Sequence, residues 1–129
     1  MSCYLMKITG STSSGQIEFK QTHSANLDEG SAGDNGINDI VFQWATRTDR
    51  FIKPINGSKI AKWGNKSIGY YGCTNVPLTA DRIHLELLKE GTHLCLLTNE
   101  GRYSEIRIDV FPELIVGTPV ISYTTWDFP

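Results

Sequence analysis

The stretch from Gly91 to Phe111 constrains the fold more than any other part of this 129-residue chain. Apolar and β-branched residues fill most of Thr92–Thr98, and Asn99-Glu100-Gly101 follows as a turn signal in which glycine can take a positive φ. After the turn, the residues alternate with the period of a strand that has one face in water: Ser104, Ile106, Ile108 and Val110 against Tyr103, Glu105, Arg107 and Asp109. The pattern predicts a hairpin of two long strands at the centre of the fold.

Further short strands are predicted along the rest of the chain, separated by turn residues. They cover Cys3–Thr9, Gln16–Thr22, Asp39–Thr46, Phe51–Ile55, Lys59–Trp63, Ile68–Tyr71 and Val120–Trp126. The dipeptide Asn56-Gly57 is typical of a tight turn, so we expect a second hairpin around it. The segment Thr79–Lys89 fits a short strand followed by a turn, with a helical turn as the alternative.

About nine short strands with regular turn signals predict an all-β fold. The expected architecture is an antiparallel β-sandwich, jelly-roll-like, or a closely related β-barrel. The length fits one domain that spans residues 1–129. We expect Ser24–Asn38 to be a long surface loop, because its glycines and acids offer nothing to a core.

Composition argues against several classes of partner. The formal net charge is -2, and the basic residues are scattered among acids, so no basic stripe for nucleic acid is expected. No apolar run is long enough to cross a membrane. The first residues lack the pattern of a signal peptide, which favours the cytoplasm without establishing the compartment.

The three cysteines, Cys3, Cys73 and Cys95, are widely spaced and contain no Cys-x-x-Cys pair. A structural zinc site is therefore not expected. Cys95 lies within a strand pattern, which favours a buried reduced thiol, and one disulfide plus a free thiol is the alternative. Three spread cysteines without a signal peptide favour a reducing compartment.

Catalytic motifs are missing from the sequence. There is no Gly-x-Ser-x-Gly elbow and no His-Glu-x-x-His metal motif. His93 and Cys95 share one strand face and form the one candidate nucleophile pair, although a half-exposed structural histidine is the simpler interpretation. We therefore expect a protein that is not an enzyme and has no cofactor.

The glycine-rich segment before the third strand carries candidate ligands for a metal ion. Asp34, Asn38 and Asp39 are oxygen ligands crowded into one stretch, and Ca²⁺ takes six to eight oxygens. The acids lack the EF-hand order, so a solvated polar loop is the alternative.

Aromatic residues beside turns indicate a carbohydrate ligand. Flat rings stack on the apolar faces of sugars, while amides and carboxylates bond the hydroxyl groups. Two tryptophans, Trp44 and Trp126, are expected in the core. The candidate ligand-binding residues are Trp63, Asn65, Tyr70, Tyr71, Asp34 and Asn35.

The turn Thr98-Asn99-Glu100-Gly101-Arg102-Tyr103 and the strand Tyr123-Thr124-Thr125-Trp126 resemble those of a family of small, mostly uncharacterised bacterial β-rich modules. The resemblance covers the C-terminal two thirds of the chain. It implies an all-β fold and supplies no activity.

Together these patterns predict a small, non-enzymatic, lectin-like β-sandwich module that binds a glycan or another small ligand. The alternative is a structural or protein-interaction domain that self-associates through edge strands. In that case the apolar tail Trp126-Asp127-Phe128-Pro129 would suit the seam of a homo-oligomer.

Overall fold

A computed structural model describes residues 11–18, 24–27, 31–32, 38–44, 50–110 and 120–126. These ranges contain ten strands, one α-helix (α1, Gly69–Thr74) and one 3₁₀ turn (Leu85–Leu87). The strands are β1 Ser11–Glu18, β2 Ser24–Asn26, β3 Ser31–Ala32, β4 Ile40–Trp44, β5 Arg50–Pro54, β6 Lys59–Gly64, β7 Ile83–His84, β8 His93–Leu97, β9 Tyr103–Val110 and β10 Val120–Trp126.

The strands form two five-stranded sheets. The first sheet has the order β1-β10-β9-β8-β6, and the second has the order β3-β2-β4-β5-β7. Every pair is antiparallel. The predicted all-β sandwich is thus confirmed, and the described strands lie in two separate sheets rather than in a closed barrel.

The predicted central hairpin is confirmed as β8 and β9. Leu97 lies opposite Tyr103, and the pairing continues to His93 opposite Arg107. At the turn, the Thr98 amide donates to the Arg102 carbonyl at 2.7 Å, and Gly101 takes a φ of 83°. A positive φ suits glycine because it has no Cβ to clash with the backbone.

A single cluster of apolar side chains lies between the sheets. Its largest fully buried members come from both sheets: Ile40 and Phe42 from the second, and Leu94, Leu96, Ile106 and Ile121 from the first. Burial of each such side chain stabilises the fold by about 1.5–3 kcal/mol. This core therefore explains the alternation of apolar and polar residues that predicted β9.

The prediction of a surface loop over Ser24–Asn38 is wrong for its described part. This part contains β2 and β3, and both Ala25 and Leu27 are fully buried. The Leu27 amide donates to the Asp39 carboxylate at 2.8 Å, and its carbonyl accepts a bond of 2.7 Å from the Thr125 hydroxyl. Hydrogen bonds to polar side chains hold this segment in the interior. The hydrophobic pattern of the sequence therefore does not predict its strands.

The predicted Asn56-Gly57 turn is present, but the hairpin is wrong. Asn56 and Gly57 have φ values of 56° and 87°, and the Ser58 amide donates to the Ile55 carbonyl. The turn carries the chain from β5 in the second sheet to β6 in the first. Because β4 and β7 already pair with the two edges of β5, no edge is left for β6.

The structure also decides the predictions for two short segments, Ile68–Tyr71 and Thr79–Lys89. Ile68–Tyr71 was predicted as a strand, but residues 69–74 form α1. A Cβ on Gly72 would lie 2.5 Å from the Ile68 Cβ, so this glycine lets the turn of helix close. In Thr79–Lys89, a short strand and a helical turn are both present, as β7 and the 3₁₀ turn that follows it.

The first part of the chain differs from its predicted boundaries. β1 begins at Ser11, within the serine-rich stretch that was predicted as a loop, and ends at Glu18. Backbone pairing with β10 explains this strand, because its serines contribute little to the core. The strand predicted at Cys3–Thr9 and the tail residues 127–129 lie outside the described residues.

The Asp39 carboxylate links three turns at one end of the sandwich. This side chain is fully buried and accepts 2.8 Å hydrogen bonds from the backbone amides of Leu27 and Asn99. The Ser58 hydroxyl donates to it at 3.4 Å. Asp39 therefore ties the end of β2 to the β5–β6 and β8–β9 turns.

We predict that Asp39→Asn lowers the free energy of unfolding by about 2 kcal/mol, because an amide turns an N–H group toward backbone donors in a buried site. Guanidinium unfolding of both proteins measures the effect. Asp81→Asn is the matched control, since Asp81 is exposed. Equal losses for the two variants would contradict this role of Asp39.

Candidate ligand-binding cleft

The functional candidates lie on the outer face of the first sheet, the face turned away from the apolar cluster. Strand register places Cys95, Glu105 and Thr124 side by side across β8, β9 and β10. The neighbouring row contains His93, Arg107 and Ser122. This face therefore brings a polar group from each of three strands together.

The prediction that this face is in water holds for only part of it. The Arg107 side chain is 52% exposed, whereas that of Glu105 is 8% exposed. Helix α1 packs over β9 and covers the sheet beside Glu105. The outer face is thus divided into a covered part and an open part.

A disulfide fixes one end of α1 to the sheet. Cys73 on the helix is bonded to Cys95 on β8, and both residues are fully buried. The prediction that Cys95 is buried is confirmed, but the prediction that it is a reduced thiol is wrong. The sequence favoured a free thiol because Cys95 lies within a strand pattern and the three cysteines are widely spaced.

Glu105 fixes the other end of α1. Its carboxylate accepts hydrogen bonds from the Ser67 hydroxyl at 2.8 Å and from the amides of Ile68 and Gly69 at 3.0 Å each. Ile68 occupies the N-cap position, where its apolar side chain cannot accept these bonds. The Glu105 carboxylate, which belongs to the sheet, therefore caps the N-terminus of α1 in place of a side chain at the N-cap position.

His93 lies against the same carboxylate. Its Nδ1 atom is 3.0 Å from Glu105 Oε2 and makes no hydrogen bond within the described part of the chain. His93 and Cys95 do share one strand face, as predicted. The Cys95 sulfur is in a disulfide and cannot act as the thiolate of a Cys–His nucleophile.

Arg107, Asp109, Gln16 and Ser122 form a polar network along β9. Arg107 Nε donates to Asp109 at 2.6 Å, Gln16 donates to it at 3.0 Å, and the Ser122 hydroxyl donates to it as well. Partial burial alone would raise the pKa of Asp109, but the bonds from Ser122, Gln16 and Arg107 and the charge of Arg107 outweigh it and lower that pKa. Asp109 is therefore held as a carboxylate that positions Arg107.

Between these groups lies an open cleft of about 240 Å³, referred to below as the cleft. Its lining is mostly polar and comprises Ser67, His93, Glu105, Arg107, Ser122 and Thr124, with Tyr123. The volume is below the range of about 300–1,000 Å³ for sites that enclose drug-sized molecules. It suits one small polar group or part of a sugar ring.

Two of the predicted aromatic residues are exposed near the cleft. Trp63, 49% exposed, lies in a bulge of β6 next to Gly64, which pairs with His93. Tyr71 is 48% exposed and lies on α1. Asn65 is exposed in the turn after β6. Trp63 and Tyr71 are thus exposed on elements that adjoin the cleft, whereas Asn65 lines a separate pocket beside Lys62 and Leu88.

The other predicted aromatic residue, Tyr70, serves mainly in packing. It is half-buried and contacts Tyr71, Tyr103 and Trp126 edge to face, with ring centroids 5.3–5.9 Å apart. Trp126 was expected in the core but lies half-buried in this cluster. For Trp44, the structure describes the backbone only.

The predicted metal ligands are only partly described. Asp34 and Asn35 lie outside the described residues, while Asn38 and Asp39 are buried. The Asp39 carboxylate bonds to protein amides, as given above. Among the described residues, no three His, Cys, Asp or Glu side chains are grouped to hold a metal ion. The Ca²⁺ site at Asp34, Asn38 and Asp39 stays a prediction.

The sequence did not indicate the pairing of His93 with Glu105 and Arg107. A usable signal was present, because the Asn99–Gly101 turn sets the register of the hairpin and so places residue 93 opposite residue 107. The same register places the side chains of His93, Glu105 and Arg107 on one face of the hairpin.

No family model, curated protein or solved structure matches the chain. The resemblance to bacterial β-rich modules therefore stays a prediction. Across the described part of the chain, the structure shows no helix with the length and apolarity needed to span a membrane.

We predict that Cys73→Ala/Cys95→Ala lowers the free energy of unfolding by about 3 kcal/mol, because the bond closes a loop with a sequence separation of 22 residues. Denaturant unfolding measures the loss, with reduced wild-type protein as the comparison. Alkylation of unreduced, unfolded protein should label a single cysteine, Cys3. Labelling of three cysteines would contradict the assignment.

We predict that Glu105→Gln lowers stability by about 2 kcal/mol, because one amide oxygen replaces a charged acceptor of three hydrogen bonds. Thermal and denaturant unfolding measure the loss. Glu18→Gln removes the same charge at an exposed position and serves as the control. A Glu105→Gln protein as stable as this control would contradict the capping role.

Proposed function

We propose that this protein is a non-enzymatic carbohydrate-binding module and that the cleft and the aromatic residues beside it form the binding site. The observation that carries the proposal is an open polar cleft with two half-exposed aromatic rings on elements that adjoin it: Trp63 precedes Gly64, which pairs with His93, and Tyr71 lies on α1, which begins shortly after Ser67. Sugars offer apolar ring faces and polar edges, and this surface offers the complementary pair of features.

The position of Trp63 supports its role in the proposal. Ala61 lies opposite Cys95 on the outer face, and Trp63 is two residues further along the same strand. Strand alternation therefore directs Trp63 to the outer face, where the bulge turns it away from regular pairing. Its exposed ring can stack on a sugar lying across the edge of the sheet.

The position of Tyr71 is fixed by the packing of α1. Tyr70 packs against Tyr71 on one side and against Tyr103 and Trp126 on the other, so Tyr71 stands on a supported aromatic cluster. A ring held in this way loses little conformational entropy on binding. The helix is about 9 Å long, which keeps Tyr71 close to the cleft at the start of α1.

A glycan array, probed with and without Ca²⁺, tests the proposal directly. We expect binding to at least one glycan class, and Trp63→Ala and Tyr71→Ala should each weaken the best ligand about tenfold, equivalent to about 1.4 kcal/mol of lost stacking. Titration calorimetry measures these dissociation constants.

Two control variants sharpen the test. Tyr71→Phe keeps the ring and should retain most of the affinity. Leu87→Ala removes an exposed apolar side chain from the 3₁₀ turn and should leave binding unchanged. An array without any bound glycan under both conditions would contradict the proposal, as would alanine variants that bind like the parent protein.

A further inference from the structure

The acids of the cleft have little capacity left to accept hydrogen bonds from a ligand. Glu105 Oε1 accepts from Ser67 and Gly69, while Oε2 accepts from Ile68 and faces His93. Asp109 accepts from Arg107, Gln16 and Ser122. Because protein donors already occupy both carboxylates, these groups position their neighbours instead of offering free acceptors.

Arg107 and His93 each keep a nitrogen atom that makes no hydrogen bond within the described residues. Arg107 uses Nε toward Asp109 and Nη2 toward Ser122, and its Nη1 has no partner among the described residues. His93 directs Nδ1 toward Glu105, and its Nε2 makes no hydrogen bond within the same part of the chain. These two side chains are direct cross-strand neighbours, so their Cβ atoms are about 5 Å apart.

The N–H groups that Arg107 leaves free determine which ligand groups bind best in the cleft. A neutral sugar hydroxyl both donates and accepts, and here its own proton would find the lining hydroxyl oxygens of Ser67, Ser122 and Thr124 as acceptors rather than a free carboxylate. A carboxylate only accepts, and arginine bonds it with a planar fork of N–H groups. The cleft therefore fits a carboxylate better than it fits a neutral hydroxyl.

We propose that the cleft selects acidic sugars, with the carboxylate of a uronic or sialic acid bound between Arg107 and His93. The inference rests on the proposed carbohydrate-binding function and names its ligand class. Trp63 and Tyr71 hold the sugar ring, while Arg107 and His93 contact the carboxylate. The carboxylates of Glu105 and Asp109 offset the positive charge of Arg107, so the expected preference is about tenfold rather than several orders of magnitude.

Matched pairs of glycans test the inference. Each pair has an acidic member and a neutral counterpart: oligogalacturonate with its methyl ester, hyaluronan fragments with their carboxyl-reduced form, and sialyllactose with lactose. Titration calorimetry should show at least one acidic member binding about tenfold more tightly than its counterpart. Arg107→Gln should remove this difference.

Two further variants separate charge from geometry. Arg107→Lys keeps the charge but loses the planar fork, and should retain only part of the preference. Lys53→Gln removes a charge from an exposed site in the second sheet and should keep the whole preference. Circular dichroism and unfolding curves establish that each variant is folded before binding is compared.

The outcomes distinguish this inference from the proposed function. Equal affinity for acidic and neutral members, still dependent on Trp63 and Tyr71, overturns the acidic preference and leaves the carbohydrate-binding function standing. A preference that survives in Arg107→Gln overturns the assignment to this cleft. A preference for sulfated over carboxylated glycans overturns the choice of carboxylate, and no binding to any glycan overturns both proposals.

Discussion

The carboxylate of Glu105 is the constraint on which the candidate site depends. A buried carboxylate is costly unless donors surround it, and here the donors come from the start of α1. The disulfide between Cys73 and Cys95 holds the same helix at its other end. Together they turn an otherwise open sheet face into a covered part and a cleft, with the aromatic residues beside it.

Asp39 applies the same principle to another part of the molecule. It too is a buried carboxylate bonded mainly to backbone amides, and it links turns that carry little apolar sequence. Both acids take the place of hydrophobic side chains in fixing polar segments. A short helix of six residues and strands of two or three residues would be marginal without such external support.

Some elements are fixed by apolar packing and others by buried carboxylates. This difference explains how much of the fold the sequence could predict. β4, β8 and β10 follow from their apolar, β-branched and aromatic residues, and β9 from hydrophobic alternation, because the apolar cluster between the sheets determines them. The sequence did not predict β2 or α1, since a carboxylate distant in sequence bonds to the backbone at one end of each, and β3 is held by its pairing with β2. For the site, the exposure of Trp63 and Tyr71 agrees with their prediction as surface residues, but the cluster of His93, Glu105 and Arg107 required the register between strands.

Amide hydrogen exchange at Ile68 and Gly69, followed by NMR, tests the central claim most directly. If Glu105 clamps the helix onto the sheet, both amides exchange much more slowly in the wild-type protein than in exposed turns, and they lose this protection in Glu105→Gln. Rapid exchange of both amides in the wild-type protein would show that the helix is not held by Glu105, and would remove the structural basis of the cleft.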